Sequence, residues 1–242
     1  MAKTAGIILI GNEILSGKVA DQNALYLCRE FRQLGVDVRK VSVIPDEVDL
    51  IAREVAEFSG AYDWVFTSGG VGPTHDDVTI EGVARAFGLR VVRDPGLVTQ
   101  LQHAYQGRLN EARLKMAEVP EGAELLASDH LVVPVVVVRN VHVFPGVPEI
   151  FRRKFDAIKE RFRERPYLLR SVFFQVGEGT LAEHLNAMLR RFPELLCGSY
   201  PELTNPEYKV RVTLESKQSE YLEAALQDLL ARLPADAVVR VQ

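Results

Sequence analysis

Apolar residues along this chain alternate between two periods. The continuous run AGIILIG (5–11) has the pattern of a strand buried on both faces. ADQNALYLCREFRQLG (20–35) then places Leu25, Leu27, Cys28, Phe31 and Leu34 on a helix closed by Gly35. VDVRKVSVIP predicts the next strand, and DEVDLIAREVAEFSG an amphipathic helix whose acidic first turn suits the helix dipole. YDWVFTSGG is a third strand and DVTIEGVARAFG a third helix. Strands alternating with helices predict an α/β fold with a doubly wound, mostly parallel sheet. Such sheets bind ligands outside the carboxyl ends of their strands.

Residues 91–118 read as helical and charged, and VPEGAELL as a turn with a short strand. VVPVVVVRNVHVFPGVP predicts a hairpin that turns at Arg139 and Asn140 and ends in a rigid Pro-Gly-Val-Pro loop. The helix EIFRRKFDAIKERFRE closes the first unit. The order then becomes strand LLRSVFFQVG, helix EGTLAEHLNAMLRRF, strands LLCGSYPEL and YKVRVTLES, helix SEYLEAALQDLLARL and strand AVVRVQ. That βαββαβ order describes a smaller α+β domain of split-βαβ type. With Pro166 at the joint, domains are expected at 1–165 and 166–242.

At 242 residues and 47% hydrophobic, the chain can bury a full core. A net charge of -4 supplies no basic footprint, so neither a nucleic acid nor an anionic membrane is an expected partner. FRRKF and ERFRERP read as solvated charge on helix faces. Cys28 and Cys197 show no metal-ligand spacing and read as small core residues in a reducing compartment. No apolar stretch approaches the roughly 20 residues that span a bilayer. LVVPVVVV is short and broken by Pro134, and GIILI lacks a signal-peptide cleavage pattern, so a cytoplasmic location is expected.

The chemistry concentrates in TSGGVGPTHDD (67–77), at the end of the third strand. Gly69, Gly70 and Gly72 permit a sharp turn and close approach, and their amides can line an anion-binding concavity at a helix N-terminus. A phosphate or diphosphate fits it. Asp76 and Asp77 would repel that anion, so either they cap the helix starting near Asp77 or they hold a divalent cation bridging protein and phosphate; the pairing favours the cation. Other strand ends bring Gly11, Asn12 and Glu13, then Asp46, then Pro145 and Gly146 to the same sheet edge. Glu13 and Asp46 could equally be helix caps. His75 is either a phosphate donor or an exposed loop histidine, His142 a satisfied histidine beside the core, and His103, His130 and His184 show no ligand spacing. GxSxG, HExxH, GxxxxGK[ST] and GxGxxG are all missing from the sequence, which removes support for the chemistries they carry.

GIILIGNEILSG, VIPDE, TSGGVGPTHDDVT and FPGVPE together resemble the molybdopterin-binding-like domain. That domain is shared by molybdenum-cofactor biosynthesis proteins, competence/damage-inducible protein A (CinA) and the N-terminal part of eukaryotic FAD synthase. The resemblance spans 5 to about 160 and continues more weakly through GSYPEL and YKVRVTLES. It implies a three-layer α/β fold, a pterin or nucleotide site at the glycine loop, and a homo-oligomer, dimer or trimer. In the cofactor-biosynthesis branch the matching aspartates, here Asp46 and Asp77, serve molybdopterin adenylylation. In CinA and FAD synthase the related domain resembles a metal-dependent pyrophosphatase acting on ADP-ribose or FAD. ASDHLVVPVVVVRNVHVFPG departs from the GTAPG-like loop usual in CinA and is closer to the FAD synthase type. The chain shows neither an amidase domain nor a FAD-forming domain, so neither activity is expected of it.

The expectation is therefore a metal-dependent nucleotide pyrophosphatase acting on the diphosphate of an ADP-ribose-like or FAD-like substrate. Gly69, Gly70 and Gly72 would hold the diphosphate, with Gly11, Asn12, Pro73, Pro145 and Gly146 lining the substrate site and Thr74 and His75 orienting the phosphate. Asp46, Asp76 and Asp77 would be catalytic and, with Glu13, would hold Mg²⁺ or Co²⁺, K⁺ being a further candidate. The alternatives are a non-catalytic molybdopterin or nucleotide-binding protein, and a molybdopterin adenylyltransferase. The extra C-terminal domain weakens the last of these. That domain has no GXXG loop with flanking basic residues and reads as an assembly or lid module.

Overall fold

The first apolar run becomes an inner strand of a six-stranded sheet. The computed structural model describes residues 3–106, 108–126 and 133–242, and the chain divides into one unit ending at Glu164 and another at Arg165–Gln242. In the first unit β1 (Thr4–Ile10), α1 (Asn12–Leu15), α2 (Asn23–Leu34), β2 (Asp37–Ile44), α3 (Val48–Ala61), β3 (Trp64–Ser68) and α4 (Thr79–Ala86) follow in order. Next come β4 (Val91–Arg93), α5 (Pro95–Tyr105), α6 (Glu111–Leu114), β5 (Glu118–Pro120), β6 (Glu124–Leu126), β7 (Val135–Val138), β8 (Val141–Phe144) and α7 (Pro148–Ile158). The sheet order is β2-β1-β3-β8-β7-β6. β1, β2, β3 and β8 run parallel, while β7 and β6 add an antiparallel edge.

The two-residue period of β1 divides its side chains between two cores. Ile7 and Leu9 pack with Leu27, Phe31, Phe66, Phe144, Phe151 and Phe155, under α2 and α7. Ile8 and Ile10 pack with Ile51, Val55, Phe58, Val83, Leu97 and Leu101, under α3, α4 and α5. Helices therefore cover both sheet faces, giving three layers. Each buried Phe or Leu contributes about 1.5–3 kcal/mol relative to an exposed one. The first core is an aromatic cluster, with Phe31 and Phe66 rings 4.8 Å apart and Phe155 edge-on to Phe31 at 5.3 Å.

His142 differs from its expected role. It lies beside this core as expected, stacked on Phe66 at 4.9 Å, but among the described residues its Nδ1 has no partner, and burial pushes its pKa down to about 4. It is a neutral packing residue.

Residues 91–118 also depart from the continuous helical reading. β4 pairs with β5 from Val91 to Arg93, and two separate helices lie between them. Asp94 ends the strand by accepting the Leu97 N–H at 2.8 Å, Pro95 opens α5, and Asn110 caps α6 through the Arg113 N–H at 3.0 Å. The hairpin of β7 and β8 turns at Arg139 and Asn140, with Arg139 at φ 55. Residues 127–132, which carry most of the departure from the CinA loop and His130, lie outside the described residues.

The second unit contains β9 (Leu168–Phe174), α8 (Glu178–Arg191), β10 (Leu196–Pro201), β11 (Val210–Ser216), α9 (Ser219–Ala231) and β12 (Val238–Val241). Its sheet order, β10-β11-β9-β12, is antiparallel throughout, as a split-βαβ arrangement requires. Val172, Phe174, Val212 and Leu214 meet Leu181, Leu185, Leu222 and Leu226 from the two helices. Burial pushes the thiols of Cys28 and Cys197 up, away from thiolate chemistry. Among the described residues no helix is long and apolar enough to cross a membrane.

Candidate functional site

The parallel register sets Ile10 beside Ile44, Leu9 beside Ser68 and Ser68 beside Phe144. The segments that follow β1, β2, β3 and β8 therefore leave the sheet at one edge. Glycine is required where they touch. Gly69 has φ 111, and a Cβ there would stand 2.0 Å from the Ile10 oxygen. Gly70 has φ 63, and a Cβ there would stand 2.4 Å from Thr79 Oγ1. Thr79 locks this turn: its hydroxyl donates to Gly69 O at 2.8 Å and its N–H to Gly70 O at 2.9 Å.

One of the three expected oxyanion donors is already engaged. The Gly69 N–H donates to Phe144 O at 3.1 Å, extending the β3–β8 ladder into the loop. The next three amides, Gly70, Val71 and Gly72, have no intramolecular acceptor among the described residues, and all three residues line the adjoining cavity. The unengaged amides thus begin one residue later and include Val71.

Asp76 and Asp77 do not cap α4, which begins at Thr79 without a side-chain cap. They close a turn instead. Asp77 accepts the Thr74 N–H at 2.7 Å, and the Thr74 hydroxyl lies against both carboxylates, 2.6 Å from Asp76 Oδ1. That hydroxyl holds the Asp76 carboxyl below its ordinary value. The polar groups of Thr74 that were expected to orient a phosphate are thus occupied within the turn, and its carbonyl accepts from Lys115 Nζ at 2.7 Å. The His75 side chain is 98% exposed, with Nδ1 3.9 Å from Asp76 Oδ1.

Asp46 caps a helix, though not its own. Its Oδ2 accepts the N–H of Asn12, the first residue of α1, at 2.8 Å. Burial raises the Asp46 pKa, the Asn12 N–H opposes that rise, and the charges of Glu13, Asp76 and Asp77 add to it. Asp46 is thus near enough to feel the charges of the other three. Among the described residues, however, no three His, Cys, Asp or Glu side chains form a ready metal cage.

Three contributors escaped the sequence reading. Asn23 is 3% exposed, and its Nδ2 donates to Ser68 Oγ at 2.9 Å and Gly146 O at 2.8 Å, clamping the Pro145–Gly146 turn to the end of β3. The available signal was Asp21, two residues earlier, which accepts the Asn23 and Ala24 N–H groups at 3.0 Å and starts α2. Lys115 tethers the Thr74 turn. Lys154, within FRRKF, is 8% exposed and corrects the reading of that run as solvated charge.

Glu13, the glycine loop, Asp77, Lys115, the Pro145–Gly146 turn and Lys154 line a cavity of about 1010 Å³, whereas Gly11, Asn12, Asp46, Thr74, His75 and Asp76 are not among its lining residues. Glu13, Asp77, Glu81, Glu118, Lys115 and Lys154 are among its polar lining residues, and Leu101, Tyr105, Met116, Val136 and Ile150 among its apolar ones. That volume falls at the upper end of the usual range for small-molecule sites.

Residues 6–168 match the family described as "Probable molybdopterin binding domain", and residues 166–242 match "FAD synthase, middle domain". A protein of Archaeoglobus fulgidus is 38% identical over 91% of this chain and 93% of its own length. A Caenorhabditis elegans protein named "Probable FAD synthase" is 36% identical over 95% of this chain, which spans 50% of that relative's length. The crystal structure of the protein CinA of unknown function from Thermoplasma acidophilum superposes with a TM-score of 0.62 at 30% identity, over 67% of this chain and 100% of that one. The chain belongs to the molybdopterin-binding-domain family, with a domain of the FAD synthase middle type following it.

Proposed function

We propose that the first unit is a nucleotide pyrophosphatase dependent on a divalent cation, hydrolysing the diphosphate of an ADP-ribose-like or FAD-like molecule. One observation carries this reading: three consecutive unengaged amides, Gly70 to Gly72, share a cavity with Glu13 and Asp77, while Asp46 feels Glu13, Asp76 and Asp77. An anion beside those carboxylates is favoured by a counter-ion between them. The donors are all hard oxygens, which suits Mg²⁺ or Co²⁺, with K⁺ a further candidate. Among the described residues no three such side chains form a cage, so the cation would have to complete its shell with waters and phosphate oxygens.

Glu13, Asp46, Asp76 and Asp77 would hold the cation. When bound, it would polarise a phosphoryl oxygen and acidify an attacking water. The chain's own groups supply the rest. The amides of Gly70, Val71 and Gly72 stabilise charge developing on the phosphoryl oxygens. Asp46, held by the Asn12 N–H at 2.8 Å, ties the ends of β1 and β2 beside the loop. Thr74 and Lys115 fix the turn that carries Asp77.

The test is release of AMP from ADP-ribose and FAD with Mg²⁺, with Co²⁺ and with chelator. Turnover should need the metal, and Asp77→Asn should lower it by about 100-fold or more. An Asp77→Asn protein that hydrolyses at the wild-type rate removes the carboxylate assignment. Calorimetric binding of a nucleotide or pterin with no AMP released is the result expected of a non-catalytic carrier.

A further inference from the structure

Lys154 lies on α7 and lines the same cavity as the glycine loop. It is 8% exposed, and among the described residues its one hydrogen bond is from Nζ to the main-chain oxygen of Pro134, at 2.9 Å. Among the described residues no carboxylate pairs with it. An ammonium carries three donors, so two are left over at the cavity wall. A buried charge is ordinarily paired or neutralised, because removing it from water without compensation is costly. Here burial pushes its pKa down to about 8. The neighbouring Arg153 lines the cavity too, but it already has a partner.

We infer that Lys154 is a positioning residue for the anionic part of the ligand, its ammonium taking an oxygen of one phosphate while the amides of Gly70 to Gly72 take the other. The inference rests on reading the cavity as a diphosphate site. It assigns the cavity two separate anion contacts, one of main-chain amides on the β3–α4 loop and one of a side chain on α7. A monophosphate engages one of them and a diphosphate both. The Pro134 contact by itself also permits a structural role, in which Lys154 only ties α7 to the segment before β7.

The probes are ADP-ribose and adenosine, titrated calorimetrically against wild type and Lys154→Met, with thermal melts of both proteins. Lys154→Met should bind ADP-ribose at least 10-fold more weakly and adenosine unchanged, with no loss of Tm. Wild-type affinity for ADP-ribose in a folded Lys154→Met protein overturns the assignment. If that variant does not fold, lysine-¹³Cε-labelled wild type decides: the Lys154 signal, assigned by its loss in Lys154→Arg, should move with ADP-ribose and stay still with adenosine. A signal that ignores ADP-ribose overturns it equally. The two readings separate cleanly. Lys154-dependent binding without AMP release leaves this inference standing and ends the pyrophosphatase, whereas turnover with an unchanged KM in Lys154→Met does the reverse.

Discussion

The Asp46 carboxylate accepts the Asn12 N–H across 2.8 Å, so the segment after β2 caps the short helix that follows β1. This ties two strand ends through one charged hydrogen bond. Asp46→Asn keeps an acceptor there and Asp46→Ala does not, so the alanine variant should be less stable than the asparagine variant by about 1 kcal/mol in urea unfolding.

The same carboxyl sets a pH dependence. Its folded pKa is raised, so its contribution to stability is full below the ordinary aspartate value and is lost as pH rises through the raised one. A divalent cation should restore what is lost. Mg²⁺ or Co²⁺ is expected to raise Tm at pH 7, to do so much less near pH 4, and to have a smaller effect on Asp46→Asn at pH 7. Thermal melts across that range check it.

Gly69 and Gly17 both have positive φ, but only Gly69 faces a neighbour where a Cβ would go. Gly17→Ala should cost about 1 kcal/mol, the ordinary left-handed penalty. Gly69→Ala adds a collision with the Ile10 oxygen and should cost about 3 kcal/mol or leave the protein unfolded. Parallel denaturation curves distinguish the two.

Asn23→Ala removes the buried amide donor that serves Ser68 and Gly146. A loss of about 2–3 kcal/mol is expected. Because the freed Pro145–Gly146 turn borders the cavity, KM for the best substrate should rise more than kcat falls. An unchanged KM in a folded Asn23→Ala protein would separate the clamp from the site.

Much of this architecture was legible because hydrophobic periodicity reports burial directly. The runs at 5–11 and 135–138 could be little else than interior strands, and the 3.6-residue spacing of Leu27, Phe31 and Leu34 matched the face they bury. Within 91–118, the β-branched pair Val91 and Val92 forms a strand, and Asp94 with Pro95 opens the helix after it, signals that a helical reading of the whole stretch passes over. The glycine loop was visible as a loop. Which of its amides stay unengaged was not, since the Gly69 N–H is claimed by a strand distant in sequence. Lys154 was hidden for a related reason, because charge predicts exposure on a helix and only the tertiary fold covers this one.

Asp63 provides a second pH test, far from the cavity. Lys3 Nζ donates to it at 2.7 Å and the Thr4 N–H and hydroxyl at 2.9 Å, and these bonds hold its pKa at about 2. A depressed carboxyl stabilises the fold above its unfolded value and loses that contribution as pH falls through its folded one. The stability difference between wild type and Asp63→Asn should therefore be constant above about pH 5 and shrink towards pH 2.

The bond from Gly69 to Phe144 also bears on how the fold assembles. The turn after β3 draws one of its anchors from a strand that emerges much later from the ribosome, so local sequence alone cannot set its geometry. Closing that long loop is entropically slow. A growing polypeptide halted before β8 would already contain β1, β2 and β3 with their helices, yet the turn after β3 would lack this anchor; its geometry is complete only with the strand that finishes the parallel pairing.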